Sequence, residues 1–263
     1  MASSIIGGLI ESGTPAASLR AADPFAESLE RLRQTAPIAG FADNRDAVDG
    51  ADVVILAVKP QVMDRALQSI ADAIQSSNAL VISIAAGTTI AAMQNRLGGD
   101  AAIVRCMPNT PALLGCGASA LYATPEVGDQ QRDYAQQILE AVGLVRWVDS
   151  EQALDAITAL SGSGPAYFFL FTEAMIDTAC ELGLDRETAT AMAQQTALGA
   201  ARMALESEVD LVELRRRVTS PGGTTAAAIA SFEADQLHQV IGRAMRAAAE
   251  RAEAMGRDAG EAQ

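Results

Sequence analysis

ADVVILAV, residues 51–58, is apolar at every position after Asp52. A strand with both faces apolar must be covered by helices on both sides, the condition of a central strand in a parallel sheet rather than a half-solvated one. Outward from it, short β-branched runs recur at 79–85 (ALVISIA), 101–106 (AAIVRC), 118–122 (ASALY) and 144–148 (LVRWV), with helical spacing near 24–35, 61–75, 88–97 and 126–142. This alternation predicts a doubly wound, Rossmann-type α/β domain with a mostly parallel sheet over residues 1–149. From Ser150 onward the strand signals stop. Ala-rich segments at helical spacing follow, with turns expected at SGSGP (161–165), LGLD (182–185) and SPGG (220–223). The segment 165–182 opens on Pro165 and stops at Gly183, the asymmetry of a well-marked helix; 186–205 and 235–255 read similarly. Residues 150–263 are therefore predicted to form an all-α domain.

With 263 residues, 49% of them apolar, the chain can bury a sizeable core in one large or two medium domains. Its 33 acidic against 19 basic residues give a formal charge of −14, a field that repels nucleic acid and anionic membranes and favours small-molecule chemistry. Cys106, Cys116 and Cys180 form no CxxC pair, so neither a disulfide framework nor a zinc site is indicated, and a reducing cytoplasm is expected. The one histidine, His238, excludes a Ser-His-Asp triad and reads as a solvated helix residue. No apolar segment approaches the ~20 residues needed to span a bilayer. Helices as apolar as those after Ser150 commonly bury a face against a second copy, and a homodimer or higher homo-oligomer through this half is expected. Arg215, Arg216 and Arg217, the only basic cluster, read as a solvated helix face.

The opening stretch MASSIIGGLIESG reads as a helix with Ile5, Ile6, Leu9 and Ile10 on one face and Gly13 past its end. Gly7 and Gly8 inside it cost about 1 kcal/mol each in propensity, which suggests a close approach of this helix to the sheet. In a dinucleotide-binding domain a strand and a glycine-rich turn precede the first helix and hold the pyrophosphate. Neither stands before residue 1, and a native start upstream of Met1 is the expectation. An acidic residue is also expected at the end of the second strand, and Asp23 in RAADP occupies that place.

Five motifs then stand in order: AVKP (57–60), SIAAG (83–87), RCMPNTPA (105–112), SGSGPAYFF (161–169) and VTSPGGTTAAAI (218–229). Together they make the chain resemble the Δ1-pyrroline-5-carboxylate reductases, and the resemblance covers nearly its whole length. It implies hydride transfer from a nicotinamide to the C=N carbon of Δ1-pyrroline-5-carboxylate, giving L-proline. It further implies that Ser220, Gly222, Gly223 and Thr224 anchor the substrate carboxylate, that the Thr225 hydroxyl lies near the ring nitrogen, and that Glu208 meets the cationic imine. On the cofactor side it implies Met1, Ala22, Asp23, Pro24, Asn44, Val58, Lys59, Ala85, Ala86, Pro108 and Asn109. NADPH is the cofactor many members use. Asp23 departs from the small polar residues those members carry, and an acid there would accept hydrogen bonds from a free ribose, which keeps NADH as the alternative.

Two other readings compete. A 3-hydroxyacid dehydrogenase relative would present a catalytic lysine on the helix after the linker, but residues 165–183 hold none, and Lys59 is the chain's lysine. A truncated, cofactor-deficient relative acting only as a dimeric interaction protein would not need to retain Glu208, Thr224 and Thr225.

Overall fold

A computed structural model describes residues 1–261, in two compact units: Met1–Ser163 together with the chain from Ala247 onward, and Gly164–Arg246. The first unit alternates helix and strand: α1 (Ala2–Glu11), β1 (Arg20–Ala22), α2 (Ala26–Thr35), β2 (Ala39–Phe41), α3 (Asn44–Val48), β3 (Val53–Leu56), α4 (Pro60–Ser77), β4 (Leu80–Ser83), α5 (Ile90–Leu97), β5 (Ile103–Met107), β6 (Gly117–Ala123), α6 (Asp129–Glu140), β7 (Gly143–Trp147) and α7 (Ala153–Ile157). Strands β1 and β2 form a parallel pair, and β3 to β7 form a five-stranded sheet in sequential order.

The apolar runs read from the sequence fall inside this sheet. Leu80, Val81 and Ile82 are fully buried because both faces of β4 are covered. On one face Met63, Leu67, Ile70, Met93 and Leu97 of α4 and α5 pack against Val81 and Ile103. On the other, Ile5 and Leu9 of α1 and Leu139 of α6 pack against Leu80, Ile82, Val104 and Leu121. Each such side chain contributes about 1.5–3 kcal/mol on burial.

Three differences from the sequence reading have physical causes. β5 and β6 pair antiparallel, because their connection spans only residues 108–116, whereas a parallel return needs a dozen or more residues. β2 was not expected, since AGF offers no apolar run; its backbone partner β1 specifies it, with Arg20 opposite Ala39. SGSGP is not an open turn: Thr158–Gly162 is a π-helical turn leading into the next helix, with Ser163 N–H donating to the Thr158 carbonyl at 2.8 Å. The close approach inferred for α1 holds at Gly8, where a side chain would begin 2.5 Å from the Ala141 oxygen and 2.7 Å from Val142 Cγ1. It is directed at the junction of α6 and β7, and Gly7 has no such neighbour.

The second unit is helical: α8 (Gly164–Glu181), α9 (Arg186–Glu206), α10 (Leu211–Arg217), α11 (Thr224–Ala234) and the first part of α12 (Leu237–Glu261), whose residues from Ala247 on belong to the first unit. Asp185 caps α9 by accepting from Thr188 N–H at 2.8 Å, and Asp210 caps α10 through Glu213 N–H at 2.8 Å. Within this unit only Gly164 and Ala189 are buried, while Phe168, Phe169 and Leu170 of α8 are each about two-thirds exposed or more. So much uncovered apolar surface is of the kind a partner chain covers.

Candidate functional site

Apart from Met1, the residues singled out in the first unit follow the carboxyl ends of its parallel strands, where open α/β sheets bind ligands. Ala22 ends β1. Asp23 follows it, donating its N–H to the Phe41 carbonyl at 3.1 Å, while its Oδ1 accepts from Phe25 N–H at 2.8 Å. Pro24 and Phe25 line an open recess with Glu27 and Arg31. Asn44 opens α3, and its Nδ2 donates to Ser69 Oγ at 3.0 Å. Beside it, Asp43 caps α3, and the Arg45 side chain, through its hydrogen bond, pulls the Asp43 carboxyl down to about 2.

Val58 and Lys59 follow β3, and Lys59 stands immediately before the helical Pro60. Ala85 and Ala86 follow β4; Ala85 is buried, and its N–H donates to Ser83 Oγ at 3.4 Å. Pro108, also buried, and Asn109 follow β5. The Asn109 amide is engaged at both ends, donating to the Ser161 carbonyl at 3.1 Å and accepting from Ala118 N–H at 2.8 Å. Its side chain therefore shapes the turn, and the backbone around it remains for a ligand. Met1 caps α1, with its carbonyl accepting from Ser4 and Ile5 N–H at 2.9 and 3.0 Å.

One pair in this region carried no signal in the sequence. Arg105 on β5 is 8% exposed, and its Nη1 donates to Glu151 Oε1 at 2.7 Å. The same oxygen accepts from the N–H of Ile90, the first residue of α5, at 2.8 Å. Close by, burial pushes the Asp155 carboxyl up; Arg105 opposes the shift, and Glu253 and Glu151 reinforce it.

In the second unit Ser220 to Thr225 form one local structure. Gly223 N–H donates to the Ser220 carbonyl at 3.0 Å, Gly222 has φ +72°, and α11 begins at Thr224 with Gly223 as its N-cap. A residue with a Cβ is strained at that φ, and a glycine cap brings no side chain to occupy the first-turn amides. Those amides and the positive end of the helix suit a carboxylate. Thr225 is half-buried, and Ser220 and Thr224 are exposed. Glu208 is exposed in the connection between α9 and α10. Arg216 and Arg217 pair with Glu213, whose carboxyl the Arg216 and Arg217 hydrogen bonds lower to about 2, so these two members of the basic cluster are paired on the surface.

Over 261 residues the chain is 50% identical to the pyrroline-5-carboxylate reductase of Pseudomonas aeruginosa, covering 99% of this chain and 95% of that protein. The chain belongs to the pyrroline-5-carboxylate reductase family. Residues 151–255 match the family model described as pyrroline-5-carboxylate reductase dimerisation, and residues 1–87 match that described as NADP oxidoreductase, coenzyme F420-dependent. A solved pyrroline-5-carboxylate reductase from Coxiella burnetii superposes with a TM-score of 0.93 at 42% identity, covering 97% of this chain and 94% of that one. The Plasmodium falciparum enzyme, solved with NADP bound, has a TM-score of 0.85 at 29% identity, with coverage of 97% and 94%. No helix of the described residues is long and apolar enough to cross a membrane.

Proposed function

We propose that this chain reduces Δ1-pyrroline-5-carboxylate to L-proline with NADPH, as a homodimer joined through a helical domain of residues 150–263. The observation that carries the reading is the turn at residues 220–225, where a glycine-capped helix start has no side-chain cap on its first-turn amides, with Thr225 the second residue of the helix. NADPH, when bound, would supply the hydride. The strand-end positions of the first unit offer backbone groups to a dinucleotide; Arg31 in the recess beside Phe25 is the positive charge for a 2′-phosphate, while Glu27 in the same recess and Asp23 at the end of β1 oppose it and favour a free ribose. NADP bound to the Plasmodium falciparum relative supports the same cofactor. Ala22, Asp23, Pro24 and Asn44 would lie on the adenosine side, Met1 by the pyrophosphate, and Val58, Lys59, Ala85, Ala86, Pro108 and Asn109 toward the nicotinamide.

The protein's part is to bind and align. The protonated imine already carries positive charge, so no strong acid is required and the lack of a catalytic histidine is no obstacle. Ser220, Gly222, Gly223 and Thr224 hold the substrate carboxylate. The Thr225 hydroxyl hydrogen-bonds the ring nitrogen, and Glu208 favours its cationic form. Hydride addition to the C=N carbon moves the π pair onto nitrogen, and the proton already there remains as the secondary amine N–H of proline. The cytoplasm, where free thiols persist, is the compartment this reading assigns; Cys106, Cys116 and Cys180 are free.

Steady-state kinetics of two variants test it. Glu208→Ala is expected to raise the KM for the pyrroline, and Thr225→Ala to lower kcat by about 100-fold, the cost of misaligning the ring against the hydride donor. Unchanged kinetics in both would remove the assignment.

A further inference from the structure

We infer that Glu151 is a positioning residue for the nicotinamide side of the cofactor site, through one carboxylate oxygen that ties the loop after β4 to the end of β5. The inference rests on the reading above that Ala85, Ala86, Pro108 and Asn109 line that site.

Two stretches of backbone must keep a fixed spacing there, residues 84–89 and residues 107–109. The first is held at its start by the sheet, where Ser83 lies opposite Arg105 in the register of β4 and β5. At its end, Ile90 N–H donates to Glu151 Oε1 at 2.8 Å. In the middle Gly87 has φ +78°, and a side chain built on it would begin 3.2 Å from Met255 Cβ, so α12 backs the loop. The second stretch continues β5, the strand that carries Arg105, whose Nη1 donates to the same Glu151 oxygen at 2.7 Å. One oxygen thus fastens the helix start beyond one loop and the strand that leads into the other.

The charge on Glu151 is also needed. Arg105 is 8% exposed, and a buried guanidinium stripped of its partner is an uncompensated charge. Glutamine in its place keeps an acceptor for Ile90 N–H and loses the ion pair. Aspartate keeps the charge but is one methylene short, so it cannot reach both partners from the same backbone position.

The test compares wild type, Glu151→Asp and Glu151→Gln in the full chain, by kinetics well below each melting temperature and by calorimetry with NADPH. Positioning predicts that Glu151→Asp weakens NADPH binding, raises its KM and lowers kcat, by about 10- to 100-fold overall, while the KM for the pyrroline stays unchanged. Glu151→Gln is expected to lie between the two and carries the test should the aspartate variant not fold. Lower melting temperatures with unaltered NADPH affinity and kcat would overturn the inference and leave Glu151 a purely structural residue. A wild type that binds NADPH but does not reduce the pyrroline defeats the assigned reaction, and calorimetry still decides the role of Glu151. A wild type that binds no NADPH overturns both.

Discussion

The Asn109 side-chain amide donates to the Ser161 carbonyl at 3.1 Å, joining the turn after β5 to the π-helical turn at Thr158–Gly162, 52 residues further along the chain. Its oxygen accepts from Ala118 N–H at 2.8 Å, so the same side chain also sets the start of β6. Asn109→Ala removes the side-chain partner of both backbone groups. The expected cost is about 1–3 kcal/mol for each that stays dry, read as a lower denaturation midpoint. Asn109→Asp keeps the bond from Ala118 and faces the Ser161 carbonyl with a second acceptor, so it is expected to be less stable than wild type at neutral pH and to recover as the new carboxyl protonates.

Gly7 and Gly8 are adjacent on α1 and are predicted to respond oppositely to alanine. At Gly8 a Cβ meets the Ala141 oxygen at 2.5 Å, and backbone must shift, a cost of about 1–3 kcal/mol. At Gly7 nothing lies within 4 Å, and the better helix former is expected to stabilise by up to about 1 kcal/mol. Thermal unfolding of the two variants separates them; equal effects would contradict the packing of α1 on the junction of α6 and β7.

Local chemistry decides which elements are legible in the sequence. β4 could be read because its residues are apolar on both faces, and the turn at residues 220–225 because Ser220, Gly222, Gly223 and Thr224 are near neighbours that define it among themselves. β2 could not be read, since AGF becomes a strand only through β1. The antiparallel turn of β6 follows from the length of the 108–116 connection, a constraint that strand propensity does not express. Glu151 was one acid among many: its partner Arg105 lies 46 residues before it and Ile90 61 residues before it, and no periodicity joins them. The exposed faces of α8 and α9 were legible as apolar helices because helical spacing survives without a covering partner.

Burial pushes the Cys106 thiol up to about 12, while its hydrogen bond with Ser119 works in the opposite direction. A raised folded pKa means that the stability from Cys106 is fully present below the ordinary thiol range and is lost as pH rises through that range toward the folded value. Cys106→Ala is therefore predicted to flatten the alkaline fall in the urea midpoint. In the native protein, alkylation followed by mass spectrometry is expected to mark the exposed Cys116 first and Cys106 only on unfolding.

Asp155 is also raised, by desolvation first, so folding favours its protonated form. Its contribution to stability is present below the ordinary carboxylate range and lost as pH rises through the raised folded value. Asp155→Asn is predicted to be more stable than wild type at neutral pH, with the difference closing as the solution is acidified. A difference that widens on acidification would contradict the burial-dominated environment of Asp155.

NADPH oxidation by the full chain on Δ1-pyrroline-5-carboxylate, with L-proline quantified in the same reaction, tests the proposed activity most directly. The account predicts oxidation that depends on the pyrroline, one L-proline formed per NADPH consumed, and near-complete loss in Thr225→Ala. A folded, dimeric chain that consumes no NADPH in the presence of the pyrroline would contradict it.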